Sequence, residues 1–349
     1  MFANVQLLRA IAAILVVLAH ALPHYEVMGG SFTIIKFLGQ WGFTGVDIFF
    51  VISGLVVSHT TFSKQRTMGN AVEFAQHRFF RVYLAYWLFL PVYYFDLLKH
   101  YPDRLHGMNI WDSILLINPD MFKLILPVAW SLCFEIYFYI LFTLSFFVSV
   151  NIVKRLLYLF FLLIILRCLF FYHPDRSAID FFLSPFLLEF LSGAIVYQLI
   201  QRFSAAWLIP LTGVTALTLF ACGVMLQAKN GPVRMYTFGF SAALLVYTAM
   251  LIDKNKVYQV KKLFLEMGNA SYTLYLVHLL ALTIFYFSGL RTLLSHMMLP
   301  VREVGYLLFL VATIASSIII YRTIERPLYK WACSLSLRHA RIKAIVINK

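Results

Sequence analysis

Apolar positions fall in ten runs, many of about 20 residues, near 5–23, 34–58, 79–98, 124–148, 155–172, 181–200, 207–226, 236–252, 272–290 and 303–321. A helix of about 20 residues spans a hydrocarbon core about 30 Å thick, so each run reads as one crossing. Turn-forming residues punctuate the gaps: Pro23, Gly29 and Gly30, Gly69 and Asn70, Pro102, Pro119, Pro174, Gly231 and Pro232, Gly268 and Asn269, and Pro300. The pattern predicts an all-α fold, a polytopic membrane helix bundle of about ten transmembrane helices. The even spread of runs argues for one transmembrane domain over 1–330, with 331–349 as a basic cytoplasmic tail. The first run exceeds a signal-peptide core, so it is expected to remain as an anchor.

Composition strengthens this picture. Of the 349 residues, 62% are hydrophobic, 17% aromatic and 13% charged, whereas soluble domains carry about 25% charged residues. In a soluble protein a net charge of +14 would point to nucleic acid. Here it is better read as loop charge, and no nucleic-acid partner is expected. With the N-terminus inside, 18 of the 29 Lys and Arg residues fall in cytoplasmic segments and 10 outside, Arg9 lying within the first span. That bias puts both termini in the cytoplasm. The segment 227–235, holding Lys229 and Arg234, fits least well. Cys133, Cys168, Cys222 and Cys333 are widely separated, and the histidines form no HxxH or HExxH motif, His20 and His24 standing at i, i+4 without its glutamate, so no metal site is expected.

Ionisable residues inside spans are costly and therefore candidates for function. Arg9 and His20 are eleven positions apart, three helical turns plus about 20°, so they share a face with an axial separation of about 16 Å. Arg9 alone reads equally well as a side chain reaching for the interface. Histidine suits general-base chemistry, because its neutral form is available near pH 7. Asp47 has no partner within its own run, so another helix must supply one; Arg9 or a histidine are the candidates. Gly42, Gly45, Ser53 and Gly54 around it suit close helix approach. Ser131, Glu135 and Phe138 share one helix face, as do Ser271, Tyr275 and His278. Glu189 is as consistent with helix packing as with chemistry. In the segment entering the third span, Arg78 and Arg81 lie at i, i+3. They read either as a double fork for phosphate oxygens or as an ordinary positive-inside anchor. A helix starting there would add its free amides.

Leu8-Arg9-Ala10 with His20, the GVDIFFVISG run from Gly45, Arg78-Phe79-Phe80-Arg81, Trp130-Ser131-Leu132-Cys133-Phe134-Glu135-Ile136-Tyr137-Phe138-Tyr139, Ser271-Tyr272-Thr273-Leu274-Tyr275-Leu276-Val277-His278 and Tyr321-Arg322-Thr323-Ile324-Glu325-Arg326-Pro327 occur in that order. In this the chain resembles the integral-membrane acyltransferase-3 family over residues 5 to about 330, most closely its bacterial exopolysaccharide O-acetyltransferases. One departure is Leu84 after Tyr83, where many members have proline.

The resemblance implies a ten-helix enzyme of the bacterial inner membrane. It would move an acyl group, acetyl in the simplest case, from cytoplasmic acyl-CoA to a hydroxyl of a cell-surface or lipid-linked glycan such as exopolysaccharide or the O-antigen of lipopolysaccharide, with polysaccharide-assembly proteins as candidate partners. It makes His20 the catalytic histidine and assigns Arg9, Arg78 and Arg81 to the donor. Asp47 and Glu135 are candidates to orient the imidazole, and His278, Tyr275 and Trp130 are candidates for substrate contact. Either the imidazole deprotonates the acceptor or it carries the acyl group itself. The rival reading is a proton-coupled secondary transporter or glycan exporter, which needs the same intramembrane charges; a non-catalytic scaffold is a third.

Overall fold

The computed structural model describes residues 2–172 and 178–335. The break expected at Pro174 and the tail residues 336–349 lie outside the described residues. Ten long helices form the framework: α1 (Ala3–Val27), α2 (Thr44–Thr61), α3 (Met68–His100), α4 (Trp130–Leu144), α5 (Val150–Phe170), α6 (Leu187–Arg202), α7 (Leu208–Met225), α8 (Phe240–Lys254), α9 (Ser271–Phe287) and α10 (Leu299–Ile320). No strand occurs among the described residues.

Among the described residues, seven segments are long and apolar enough to cross a membrane, or eight if Lys262–Asn269 and α9, bent by 68°, count as one. That is fewer than the ten runs predict. The two runs that fail coincide with α3, diluted by tyrosines and arginines, and α5, which carries Lys154, Arg155 and Arg167. The protein is thus a multi-pass membrane protein with an all-helical bundle.

Contacts fix the direction of each helix. Phe2 meets His59 while Gly45 lies on the Ala12 carbonyl, so α1 and α2 are antiparallel. His20 meets His278 and His24 meets Phe285, so α1 and α9 run the same way. The Tyr272 hydroxyl donates to the Val82 carbonyl at 2.9 Å and His100 stacks on Phe287, which aligns α3 with α9. Trp130 meets Phe50 and Phe142 meets Phe62, which aligns α4 with α2. Tyr197 meets His59, which places α6 with them, and α5 opposes α6 through Tyr158–Gln198 and Arg167–Leu183. Thr212–Thr248 and Ser241–Ala216 oppose α7 to α8, while Asn4–Asp253 opposes α8 to α1. Tyr25–Glu303 at one end and Arg81–Glu325 at the other oppose α10 to α9. The ten helices therefore alternate in direction along the chain.

Two sequence-based boundaries shift, each for a physical reason. The second run breaks into a short helix, Thr33–Trp41, and α2 at Gly42, where the absence of a side chain lets the backbone press against the Leu15 carbonyl of α1. The third helix starts at Met68, eleven positions before its apolar run, where the Thr67 hydroxyl accepts from the Asn70 amide at 3.3 Å. At 33 residues it is about 50 Å long. Arg78 and Arg81 therefore lie within a helix whose amides are already bonded, and a free N-terminus does not contribute at that point. Close approach depends on α2: a Cβ at Gly54 would strike the Phe190 carbonyl, and one at Gly193 of α6 the Val51 carbonyl.

Candidate active site

Arg9, Arg78 and Arg81 line one cavity of about 100 Å³, together with Ser53, Ser131, Glu135, Tyr139, Tyr272 and Tyr275. Each cation is held differently. Arg81 pairs with Glu325 at 2.7 Å and lies 5.3 Å from the Tyr272 ring centroid. Glu325 is 5% exposed, also accepts from the Thr273 hydroxyl, and sits on a wide π turn, Tyr321–Glu325, that follows α10. Arg78 has no carboxylate partner among the described residues; it donates to the Thr60 hydroxyl at 3.0 Å and lies over the Phe74 and Tyr139 rings. Arg9 makes no hydrogen bond or ion pair among the described residues, although Arg81, Glu135 and Glu325 all lie within its electrostatic reach. Glu135 is engaged by the hydroxyls of Ser53, at 3.2 Å, and Tyr139. Three guanidinium groups face two carboxylates, Glu135 on the wall and Glu325 on Arg81, so the site keeps an excess of one positive charge. Guanidinium forks suit phosphate oxygens.

Farther along α1 and α9 lies a second polar group. His20 is exposed, whereas His278 is fully buried. Nε2 of His278 stands 3.3 Å from Nδ1 of His20, with the ring centroids 4.9 Å apart. Tyr275, one turn before His278, belongs to both neighbourhoods: it lines the cationic cavity, hydrogen-bonds Ser131 at 2.7 Å, and its ring lies 5.9 Å from that of His278. Phe49 also faces both the cavity and Tyr275. The imidazole pair and the guanidinium cavity are thus adjacent compartments along one helix pair.

Asp47 sits elsewhere. It is wholly buried against Arg234, whose Nε and Nη2 lie 3.1 and 2.5 Å from Oδ1, with Glu189 beside it. Its partner is therefore Arg234, not Arg9 or a histidine. Arg234 lies between the Phe43 and Phe186 rings and just before a π turn, Met235–Gly239. This explains why its segment fits the loop-charge bias least well: that cation is buried in the bundle and is not a loop charge. Neither Asp47 nor Glu135 touches His20; the side chain that does is His278. Because His278 is sealed, it has no surface to offer a substrate. Trp130 packs among Phe50, Phe134 and Phe186 and does not line the cavity.

Residues 2–322 match the acyltransferase-3 family, whose description is an acyltransferase domain. The chain belongs to the acyltransferase-3 family. It is 28% identical over 281 residues to the exopolysaccharide production protein ExoZ of Rhizobium meliloti (strain 1021), covering 76% of this chain and 82% of that one. No solved structure matches. Membership makes the chain an acyltransferase and sets aside the carrier and scaffold readings. In this acyltransferase the residues missed from sequence were Arg234, Glu325, Thr273, Tyr139 and Tyr272. Glu325, Thr273, Tyr139 and Tyr272 stand in or beside recognised motifs, which was the available signal; Arg234 stands in none.

Proposed function

We propose that the protein is an inner-membrane O-acyltransferase that takes an acyl group, acetyl in the simplest case, from cytoplasmic acyl-CoA and gives it to a glycan hydroxyl. Exopolysaccharide is the acceptor suggested by the similarity to ExoZ; other cell-surface or lipid-linked glycans share the chemistry. In this reading residues 1–330 form the transferase domain of ten crossings, both termini are cytoplasmic and 331–349 is a basic tail. Alternating helix directions and the Lys and Arg bias support that topology.

The observation that carries the proposal is the convergence of Arg9, Arg78 and Arg81 in one cavity at the end of the bundle where α1 begins, with His20 exposed on the same helix. Coenzyme A is a polyanion whose phosphates suit the guanidinium groups. The phosphates would rest against these guanidinium groups in the cavity, and the pantetheine arm would carry the thioester past Phe49 and Tyr275 toward His20. His20 would take the proton of the acceptor hydroxyl as its oxygen attacks the thioester carbon. The tetrahedral adduct would then collapse, the carbon–sulfur bond breaking and the thiolate taking up the proton. A partly exposed aromatic and basic rim beyond His20, formed by His24, Tyr286 and Arg291, offers apolar faces on which sugar rings can stack.

Purified protein incubated with radiolabelled acetyl-CoA and bacterial glycan should release free thiol and label the glycan. Labelled glycan without the protein's participation, or intact thioester after prolonged incubation with acceptor, would overturn the proposal.

A further inference from the structure

The buried partner of His20 is an imidazole, where a carboxylate was expected, and its hydrogen bonds constrain where the protons are. Nδ1 of His278 lies 3.2 Å from the Leu274 carbonyl oxygen, and Nδ1 of His20 lies 2.9 Å from the Val16 carbonyl oxygen. A carbonyl oxygen only accepts, so both contacts require a hydrogen on Nδ1. A neutral imidazole carries one such hydrogen, which leaves Nε2 of His278 with a lone pair. That lone pair faces Nδ1 of His20 at 3.3 Å. The opposite tautomers would set the Nδ1 lone pair of His20 against the Val16 oxygen, and that of His278 against the Leu274 oxygen. Two lone-pair contacts replace two hydrogen bonds in that arrangement. The His20 hydrogen is therefore shared between a carbonyl oxygen and the His278 nitrogen. Its own Nε2 has no hydrogen-bond partner among the described residues, and the ring is exposed.

We infer that His278 is a positioning residue: its Nε2 accepts the Nδ1 hydrogen of His20, fixing that ring so that the bare Nε2 faces the acceptor hydroxyl. The inference rests on the assignment of His20 as the base. When His20 takes up a proton, its Nδ1–H becomes the donor of a charge-assisted bond to the same two acceptors, so the cation formed during transfer is met by groups already in place. Burial explains why the acceptor is an imidazole. A carboxylate sealed at this position would need a cation beside it, whereas a neutral ring with both nitrogens engaged needs none.

The test compares His278→Gln with His278→Leu in purified protein, measuring kcat, KM for acetyl-CoA and thermal unfolding. The Oε1 of glutamine falls near the position of Nε2 and keeps an acceptor; leucine keeps apolar bulk and removes it. We expect leucine to lower kcat about 10- to 100-fold, the range for losing a partner that orients a functional histidine, with KM for the donor within twofold. Glutamine should retain at least tenfold more kcat than leucine. A packing role predicts the reverse order, because glutamine buries an extra amide, and that result overturns the inference. If the leucine protein does not fold, glutamine decides alone: a folded protein with unchanged donor KM and kcat near wild type upholds the inference, and loss of turnover overturns it. His20→Ala separates the two levels. Full turnover by that variant removes the function proposal itself. An inactive His20→Ala alongside fully active Gln and Leu variants at 278 removes only the positioning role.

Discussion

Replacing Arg78 by alanine isolates donor binding from folding, because this guanidinium has no carboxylate partner to orphan among the described residues. In the free protein it donates to Thr60 at 3.0 Å and lies 5.3 and 5.2 Å from the Phe74 and Tyr139 ring centroids. Losing one hydrogen bond of about 1 kcal/mol and cation–π contacts of about 0.5–1 kcal/mol, both partly replaced by water, costs the fold about 1–2 kcal/mol. The same change removes a charged donor to the acyl donor's phosphate, worth about 1.5–3 kcal/mol, or about 10- to 150-fold in affinity. Calorimetric titration of detergent-solubilised protein with coenzyme A should therefore show Kd rising by that factor. KM for acetyl-CoA should follow, while kcat at saturating donor stays within a few fold. Arg81→Ala should behave differently. Glu325, 5% exposed and paired at 2.7 Å, would lose its cation, at a cost of about 3–5 kcal/mol. Adding Glu325→Gln should restore the unfolding temperature but not donor affinity. A folded Arg78→Ala protein that binds coenzyme A within twofold of wild type would refute this reasoning.

Other predictions follow from the same geometry. Arg234→Ala leaves Asp47 and Glu189 buried without a cation and should cost about 3–5 kcal/mol, read as loss of monodisperse protein in size-exclusion chromatography. Glu189→Gln should be tolerated or raise the unfolding temperature, since an amide can donate to Asp47 Oδ2, which lacks a partner among the described residues. Gly54→Ala drives a methyl into the Phe190 carbonyl and should destabilise by about 1–3 kcal/mol or more, seen as a lower unfolding midpoint. Trp130→Ala should cost about 3–5 kcal/mol of packing yet leave donor KM unchanged in whatever folded fraction remains, because the ring packs outside the cavity.

Much of the framework was legible in the chain because it is written in single elements. Nine of the ten apolar runs overlap one long helix each, the second being split at Gly42, and the glycines around Asp47 do mark close approaches. Arg9 and His20 could be linked from the sequence because both lie on one continuous helix, where 3.6-residue periodicity fixes their relative placement. Pairings between helices carry no such signature. Asp47 and Arg234 are separated by 187 positions, and Arg81 and Glu325 by 244; no period or motif links either pair. Arg234 reads as loop charge in the sequence because the wide turn that begins at Met235 and helps seat it leaves no mark in hydropathy. The role of the fourth span was only half legible. One helix face did carry Ser131 and Glu135 into the cavity, but Trp130, adjacent in sequence, points to the aromatic cluster. The histidine pair depends on α1 and α9 running side by side in the same direction, which spacing along either helix cannot reveal.

The central claim is that thioester held by the arginine cavity is consumed through the His20 imidazole. The direct test is a paired measurement on His20→Ala: coenzyme A affinity, and thiol release from acetyl-CoA in the presence of acceptor glycan. The account predicts wild-type affinity with thiol release reduced at least 100-fold, the lower range for removing a general base. Thiol release at the wild-type rate, with acetyl still reaching the glycan, would contradict it.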